Sequence, residues 1–463
     1  MTFHTENFFS ENCMKIFHFN YPSDSGAAHS LRLESAHLTG MPLKNSLSDS
    51  VPAHSLIRYI LYLLLIFTPL ARASVQGWAV SVIHILTLIA VTVFLADKSL
   101  RGEWKWMKTP VDKPVLALFC LCMLSAFFSQ HRYSSFWAIL LLLDYVIWFY
   151  LLIHTVRTRS HLRQVMYIVM GMGIFLSVYG MFKQGGMNPF PWWEYSDIGQ
   201  DIRRLSATYG NPDHLSGYLE MAVPLCLGFM MTGIKDGKLM MLVFIIILMF
   251  TALILTLSRG GWMGMLCALY LIGLVLINQG QVRHRKILVS LLTVFLPLTV
   301  LILSGADVAE RLRSFEQGTE MSSFDARISA WKGTLNMIAD YPLSGSGPGT
   351  YAFVFTQYQP PGLGAYYNMA HNDYLHFLAE TGLILAGIMI WMMYVFFRAG
   401  FEKMKHPSRL MRGTALGAMS GVTAMLVHSI GDFNLHVPAN ALLFAVCAAL
   451  TVIHLPKTHD RVK

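Results

Sequence analysis

Long apolar runs alternate with short polar connections from about residue 57 to residue 455. Each approaches the roughly 20 residues that an α-helix needs to cross a bilayer. The pattern predicts spans near 57–72, 77–96, 114–129, 135–153, 163–182, 217–233, 239–257, 261–278, 287–303, 374–397, 413–430 and 438–455. The expected fold is therefore all-α: a polytopic membrane protein with about 12 transmembrane helices. Helices 1–9 fall in 56–303 and helices 10–12 in 374–455. Two connections are long, 183–216 and 304–373. The second exceeds a simple link and should carry structure of its own. Within it, Phe324, Ile328, Trp331, Leu335 and Ile338 recur at helical spacing. Tyr341-Pro342 stops that helix, and the glycines at 345, 347 and 349 make a turn-rich stretch. No internal repeat is visible, which weakens an inverted-repeat transporter reading.

Composition agrees with the pattern. Of 463 residues, 54% are hydrophobic and 13% charged, against about 25% charged in a soluble domain. The net charge of +9 does not argue for nucleic acid, because Lys and Arg sit in short clusters between apolar runs. These clusters occupy 98–113, 157–163, 235–238, 283–286 and 398–412. With the spans above, all five fall on one side together with both termini. The positive-inside rule makes that side cytoplasmic, so 183–216 and 304–373 should face the periplasm. Residues 1–55 are polar, rich in Ser and His, and without a long apolar core. They read as a disordered cytoplasmic tail, and Met14 and Met41 could each open the chain instead; 456–463 read as a second cytoplasmic tail. The six cysteines imply no disulfide framework, since neither long polar connection holds one.

Charged and polar residues at the outer edge are the candidate chemistry. Arg259 lies in Ser258-Arg259-Gly260-Gly261-Trp262, between two spans. An Arg at a membrane edge is costly and often functional, but a snorkelling anchor is an equal alternative. His371 opens His371-Asn372-Asp373-Tyr374-Leu375-His376, at the start of an expected helix. There the dipole favours a neutral imidazole base and Asp373 opposes it; the competing reading is a polar cap, with Asn372 or Asp373 as N-cap. Arg327 and Trp331, one turn apart, can form an anion and sugar platform, or simply a solvated face. Arg203 and Arg204 run against the positive-inside trend, which favours anion binding. Zinc ranks low, because His376 has no partner at ligand spacing with a third ligand nearby.

Five stretches resemble the O-antigen ligase superfamily, which includes O-antigen ligases, O-antigen and exopolysaccharide polymerases, and protein O-oligosaccharyltransferases. They are Arg204 to Tyr218, Ser258 to Trp262, Arg327 to Tyr351, His371 to Gly382, and His428 to Asn440. The resemblance implies a GT-C-like membrane glycosyltransferase in polysaccharide and lipopolysaccharide biosynthesis at the bacterial inner membrane, with its site on the periplasmic side. It implies an undecaprenyl-diphosphate-linked glycan as donor. The acceptor would be lipid A-core in a ligase, a growing glycan in a polymerase, or a protein Ser or Thr in an oligosaccharyltransferase. By the same analogy Arg259 and Arg327 bind the diphosphate and His371 assists the acceptor hydroxyl. Arg203, Arg204, Trp331 and Asn372 would contact substrate, and neither cofactor nor metal is needed. The alternative of another class is a lipid-linked sugar flippase. A flippase should line its midplane with charge, where Asp144 is the main candidate.

Overall fold

The computed structural model describes residues 51–102, 104–193, 204–278, 289–290, 293, 323–361 and 367–455. Most described residues are helical, and none forms a strand. In chain order the helices are α1 (Val51–Leu70), α2 (Gly77–Arg101), α3 (Asp112–Phe127), α4 (Arg132–Thr155), α5 (Arg159–Gln184), α6 (Pro212–Met230), α7 (Asp236–Leu255) and α8 (Arg259–Asn278). After them come α9 (Ser323–Asp340), α10 (Tyr351–Val354), α11 (Asp373–Thr381), α12 (Ile384–Lys403), α13 (Arg409–His428) and α14 (Pro438–Val452). Eight are long and apolar enough to cross a membrane: α1, α2, α4, α5, α7, α8, α12 and α13. The chain is thus a multi-pass membrane protein. Helices α3 and α14 are shorter than a full span, and the expected span at 287–303 lies largely outside the described residues.

Helix α6 is the centre. Every residue from His214 to Met230 is buried, as expected for a helix apolar around most of its girth. It packs most extensively on α13, and the sequence explains why. Gly413, Gly417 and Gly421 recur every fourth residue and form a smooth stripe. A Cβ on Gly417 would sit 2.5 Å from the Pro224 carbonyl oxygen, and one on Gly413 would sit 2.2 Å from that of Gly228. Small residues at this spacing let two backbones approach inside a membrane, where lipid supplies no hydrophobic drive between helices.

The two ends of the bundle differ. One end gathers the basic residues. Arg58 donates to the Thr155 carbonyl, His54 faces Asp97 and Lys403 donates to the Ile453 carbonyl. The start of α1 and the end of α14 share this end. The other end carries the α7–α8 turn, α11 and the 429–437 turn.

Two expectations need correction. The expected span 374–397 is interrupted: Gly382, at φ +82, ends α11, and α12 begins at Ile384. A Cβ on Gly382 would meet the Leu343 carbonyl oxygen at 2.1 Å, so the glycine-rich connection, not the bilayer, sets this break. The expected helix from Phe324 to Ala339 is α9, and its apolar stripe is buried only in part, with Ile338 buried as the spacing suggests. Leu335 is 53% exposed, whereas Ala330, Thr334 and Met337 are buried. The Thr334 hydroxyl is 2.8 Å from the Tyr351 hydroxyl.

Candidate functional site

The site grows from the turn into α11. Asn372 is the N-cap, and its side chain accepts from the Leu375 backbone N–H at 3.0 Å. The preceding residue, His371, is forced to φ +50. A non-glycine residue holds that conformation only where its surroundings over-determine it, and here two elements do. From α9, the Trp331 indole N–H donates to the Ala370 carbonyl at 3.0 Å and lies 3.3 Å from that of His371. From the other side, the Asp373 N–H donates to the carbonyls of Ser429 and Asp432. Trp331, expected as a sugar platform, therefore has its polar atom committed to holding the His371 backbone.

The His371 imidazole meets Phe433 edge-on, with ring centroids 4.9 Å apart, and His214 meets the same ring at 5.0 Å. Its Nδ1 is buried, lacks a well-formed hydrogen bond and faces Asp432 Oδ1 at 3.5 Å. Burial alone would raise the Asp432 pKa. The His371 contact and the nearby charges of His214, His428 and Arg327 outweigh it and hold the carboxyl well below the usual carboxylate range. Arg327, on α9, is near enough for its charge to act on Asp432. The other Asp432 oxygen lies 3.8 Å from His428 Nε2, and His428 Nδ1 lies 3.1 Å from Glu220 Oε2. Glu220 and His428 are almost completely buried.

Arg259 opens α8 as an exposed residue beside this line. Its glycines have a packing role as well: a Cβ on Gly260 would meet the His428 ring at 2.3 Å, and one on Gly261 the Ser216 hydroxyl at 2.5 Å. Arg204 is engaged within the protein. It pairs with Asp213 at 2.7 Å and donates to the Thr256 carbonyl at 2.9 Å, fastening its loop to the turn that carries Arg259. Arg203 lies outside the described residues. Asp144, the expected midplane charge, pairs with His84 at 2.5 Å between α4 and α2.

A second polar cluster underlies the first. Asp373 accepts from the Ser429 hydroxyl, from the Leu435 N–H and, at 2.6 Å, from His436 Nδ1. The His436 ring sits 4.1 Å from that of His376, and His376 Nε2 faces Glu380 at 3.2 Å. Chain folding thus supplies the third ligand that local spacing lacked: His376, Glu380 and His436 offer ligand atoms within 4.8 Å of one another and can hold a metal ion. Their atoms are also satisfied internally, because the Ala370 N–H points at His376 Nδ1 and the Tyr351 N–H donates to Glu380.

Sequence reasoning missed Asp432, His428, Glu220 and His214 as one group. Two local signals pointed there: the four-residue spacing of His428 and Asp432, and a carboxylate, Glu220, inside an apolar run.

Fold and site define a class: a multi-pass membrane protein with an Arg-, His- and carboxylate-bearing site where its helices end. Residues 244–392, about a third of the chain, match the family model described as O-antigen ligase, which supports the O-antigen ligase superfamily for this protein. The matched stretch includes Arg259, Arg327 and His371 and stops before His428 and Asp432. No curated protein matches the chain.

Proposed function

We propose that this protein transfers a glycan from undecaprenyl diphosphate to an acceptor hydroxyl at the periplasmic face of the bacterial inner membrane, as an O-antigen ligase or polysaccharide polymerase. The observation that carries this reading is the convergence of His371, Arg327 and Asp432 at the end of the bundle opposite the basic residues. The positive-inside rule makes the basic end cytoplasmic. A lipid-linked donor would then lie in the bilayer with its headgroup at the level of α9, α11 and the start of α8.

The chemistry suits these groups. The acceptor oxygen attacks the anomeric carbon from the face opposite the diphosphate. The carbon–oxygen bond to diphosphate breaks, its electron pair leaves with the diphosphate, and the acceptor proton passes to His371 Nε2. One displacement inverts the anomeric centre. Diphosphate is already a good leaving group, so the main requirement is stabilisation of its growing charge. Arg259 and Arg327 supply it, and loss of one such donor costs about 2.7–4 kcal/mol of transition-state stabilisation. A positioned base is worth roughly 10²–10⁴ in rate. Arg204 acts indirectly, by holding the Arg259 turn. Trp331 and Asn372 brace the same region.

The test supplies purified protein with lipid-linked glycan and, separately, lipid A-core, further lipid-linked repeat units, or a Ser/Thr peptide. The productive acceptor separates ligase, polymerase and protein O-oligosaccharyltransferase. Arg259→Ala, Arg327→Ala and His371→Ala should each reduce transfer at least about 100-fold per folded molecule, with Lys a poor replacement for either Arg because it lacks the planar fork. A chelator should leave the rate unchanged, since the His376–Glu380–His436 cluster is internally bonded. Flipping of the donor without transfer to any acceptor would favour the flippase reading instead.

A further inference from the structure

His371 is the exposed end of a line that runs into the protein. From its Nδ1 the line passes to Asp432 at 3.5 Å, from Asp432 to His428 at 3.8 Å, and from His428 to Glu220 at 3.1 Å. It joins the start of α11, the 429–437 turn, the end of α13 and the middle of α6. Burying a carboxylate and an imidazole inside a helix bundle is expensive unless each is partnered, and a simple helix-fastening pair would end with Glu220 and His428. This pair does not end there. Asp432, itself buried, turns one oxygen toward His428 and the other toward His371, and the Phe433 N–H donates to that second oxygen at 2.9 Å. The surrounding backbone is shaped to admit the line. Gly260 and Gly264 leave room for the His428 ring and for Glu220, where a Cβ on Gly264 would lie 3.0 Å from Glu220 Oε2. Asn434 closes the remaining side, with its amide nitrogen 3.2 Å from His428 Nε2.

The orientation of His371 follows from this arrangement. About 30% of its side chain is exposed while Nδ1 is buried, so the open edge of the ring carries Nε2. A carboxylate facing Nδ1 favours the tautomer with the proton on that nitrogen, which leaves the Nε2 lone pair directed outward. The same carboxylate favours the imidazolium once Nε2 has taken a proton, as in other His–Asp pairs.

We propose that Asp432 is the positioning residue for His371, fixing its tautomer and ring direction, and that His428 and Glu220 hold Asp432 in place from inside the helix bundle. All three lie outside the residues that match the family model. The proposal rests on His371 acting as the base, and no covalent step beyond the transfer described above is involved.

The experiment compares Asp432→Asn with His371→Ala in the full-length protein in detergent. Two quantities are read: the kcat-against-KM split for lipid-linked donor, and the rate at which diethylpyrocarbonate modifies His371, followed by peptide mass spectrometry on folded material. The amide of Asp432→Asn can donate to Nδ1 and so favours the wrong tautomer. Its kcat should fall about 100-fold or more, its donor KM should stay within about threefold, and His371 should be modified more slowly. Asp432→Glu, which keeps the charge, should recover part of kcat. If Asp432→Asn does not accumulate, His428→Gln carries the same two readouts, with kcat reduced at unchanged KM. Normal kcat and normal His371 modification in the variant, alongside an inactive His371→Ala, would overturn the positioning role and leave the base intact. An active His371→Ala would overturn the base itself.

Discussion

His436 shows how much one partner changes at the residue scale. Burial favours its neutral form, yet the hydrogen bond and charge of Asp373, with the charge of Glu380, raise its pKa above the ordinary 6.5. The folded state therefore binds this proton more tightly than the unfolded chain. The resulting stability is fully present below pH 6.5 and is lost as pH rises through the folded value. A melting series in detergent from about pH 6 to about pH 9 should show Tm falling on the alkaline side, with a smaller fall in His436→Gln. Equal slopes in both proteins would mean that His436 contributes nothing to this dependence. Single residues were also where the sequence was hardest to read. Asn372 could be recognised as a cap from its place before a helical run. The engagement of Arg204 by Asp213 is local in sequence, but its bond to Thr256 is not, and neither is Trp331's grip on the His371 backbone. Those depend on which segments meet in space, which the order of apolar and polar residues does not encode.

At the scale of elements, the apolar runs located most of the long described helices because length and hydropathy are local properties. What they did not reveal is which face or which break tertiary contacts would impose, as Leu335 on α9 and Gly382 before α12 demonstrate. The glycine stripe of α13 is the most demanding interface in the bundle. Gly417→Leu would press a side chain into the Pro224 carbonyl of α6, and overpacking of this kind typically costs about 1–3 kcal/mol. Gly387 on α12 is a suitable control, since a Cβ there meets nothing within 4 Å. The expected result is a lower Tm and lower membrane abundance for Gly417→Leu, with Gly387→Leu close to the parent protein. Equal tolerance at both positions would contradict the close α6–α13 contact.

For the whole molecule, the separation of basic and site-bearing ends makes a topological prediction. A reporter that works only in the periplasm, fused after Gly318, should be active, and one fused after His454 should be silent. The reverse pattern would turn the site toward the cytoplasm and exclude a periplasmic transfer reaction. The fold also constrains its own biogenesis. The glycine-rich segment after α9 is threaded between early and late parts of the chain. The Gln130 N–H donates to the Ser346 carbonyl, the Ser135 hydroxyl to that of Pro348, and the N–H groups of Ser346 and Gly347 to those of Ala379 and Glu380. The Ser125 hydroxyl reaches the Glu380 carbonyl across 255 residues of sequence. The α3–α4 hairpin therefore enters the membrane long before its partners have been synthesised, and contacts of such high sequence separation form late. Until residue 382 has left the ribosome, that hairpin lacks these distant partners and has only the bonds within its own turn, so the site closes as one of the last acts of assembly.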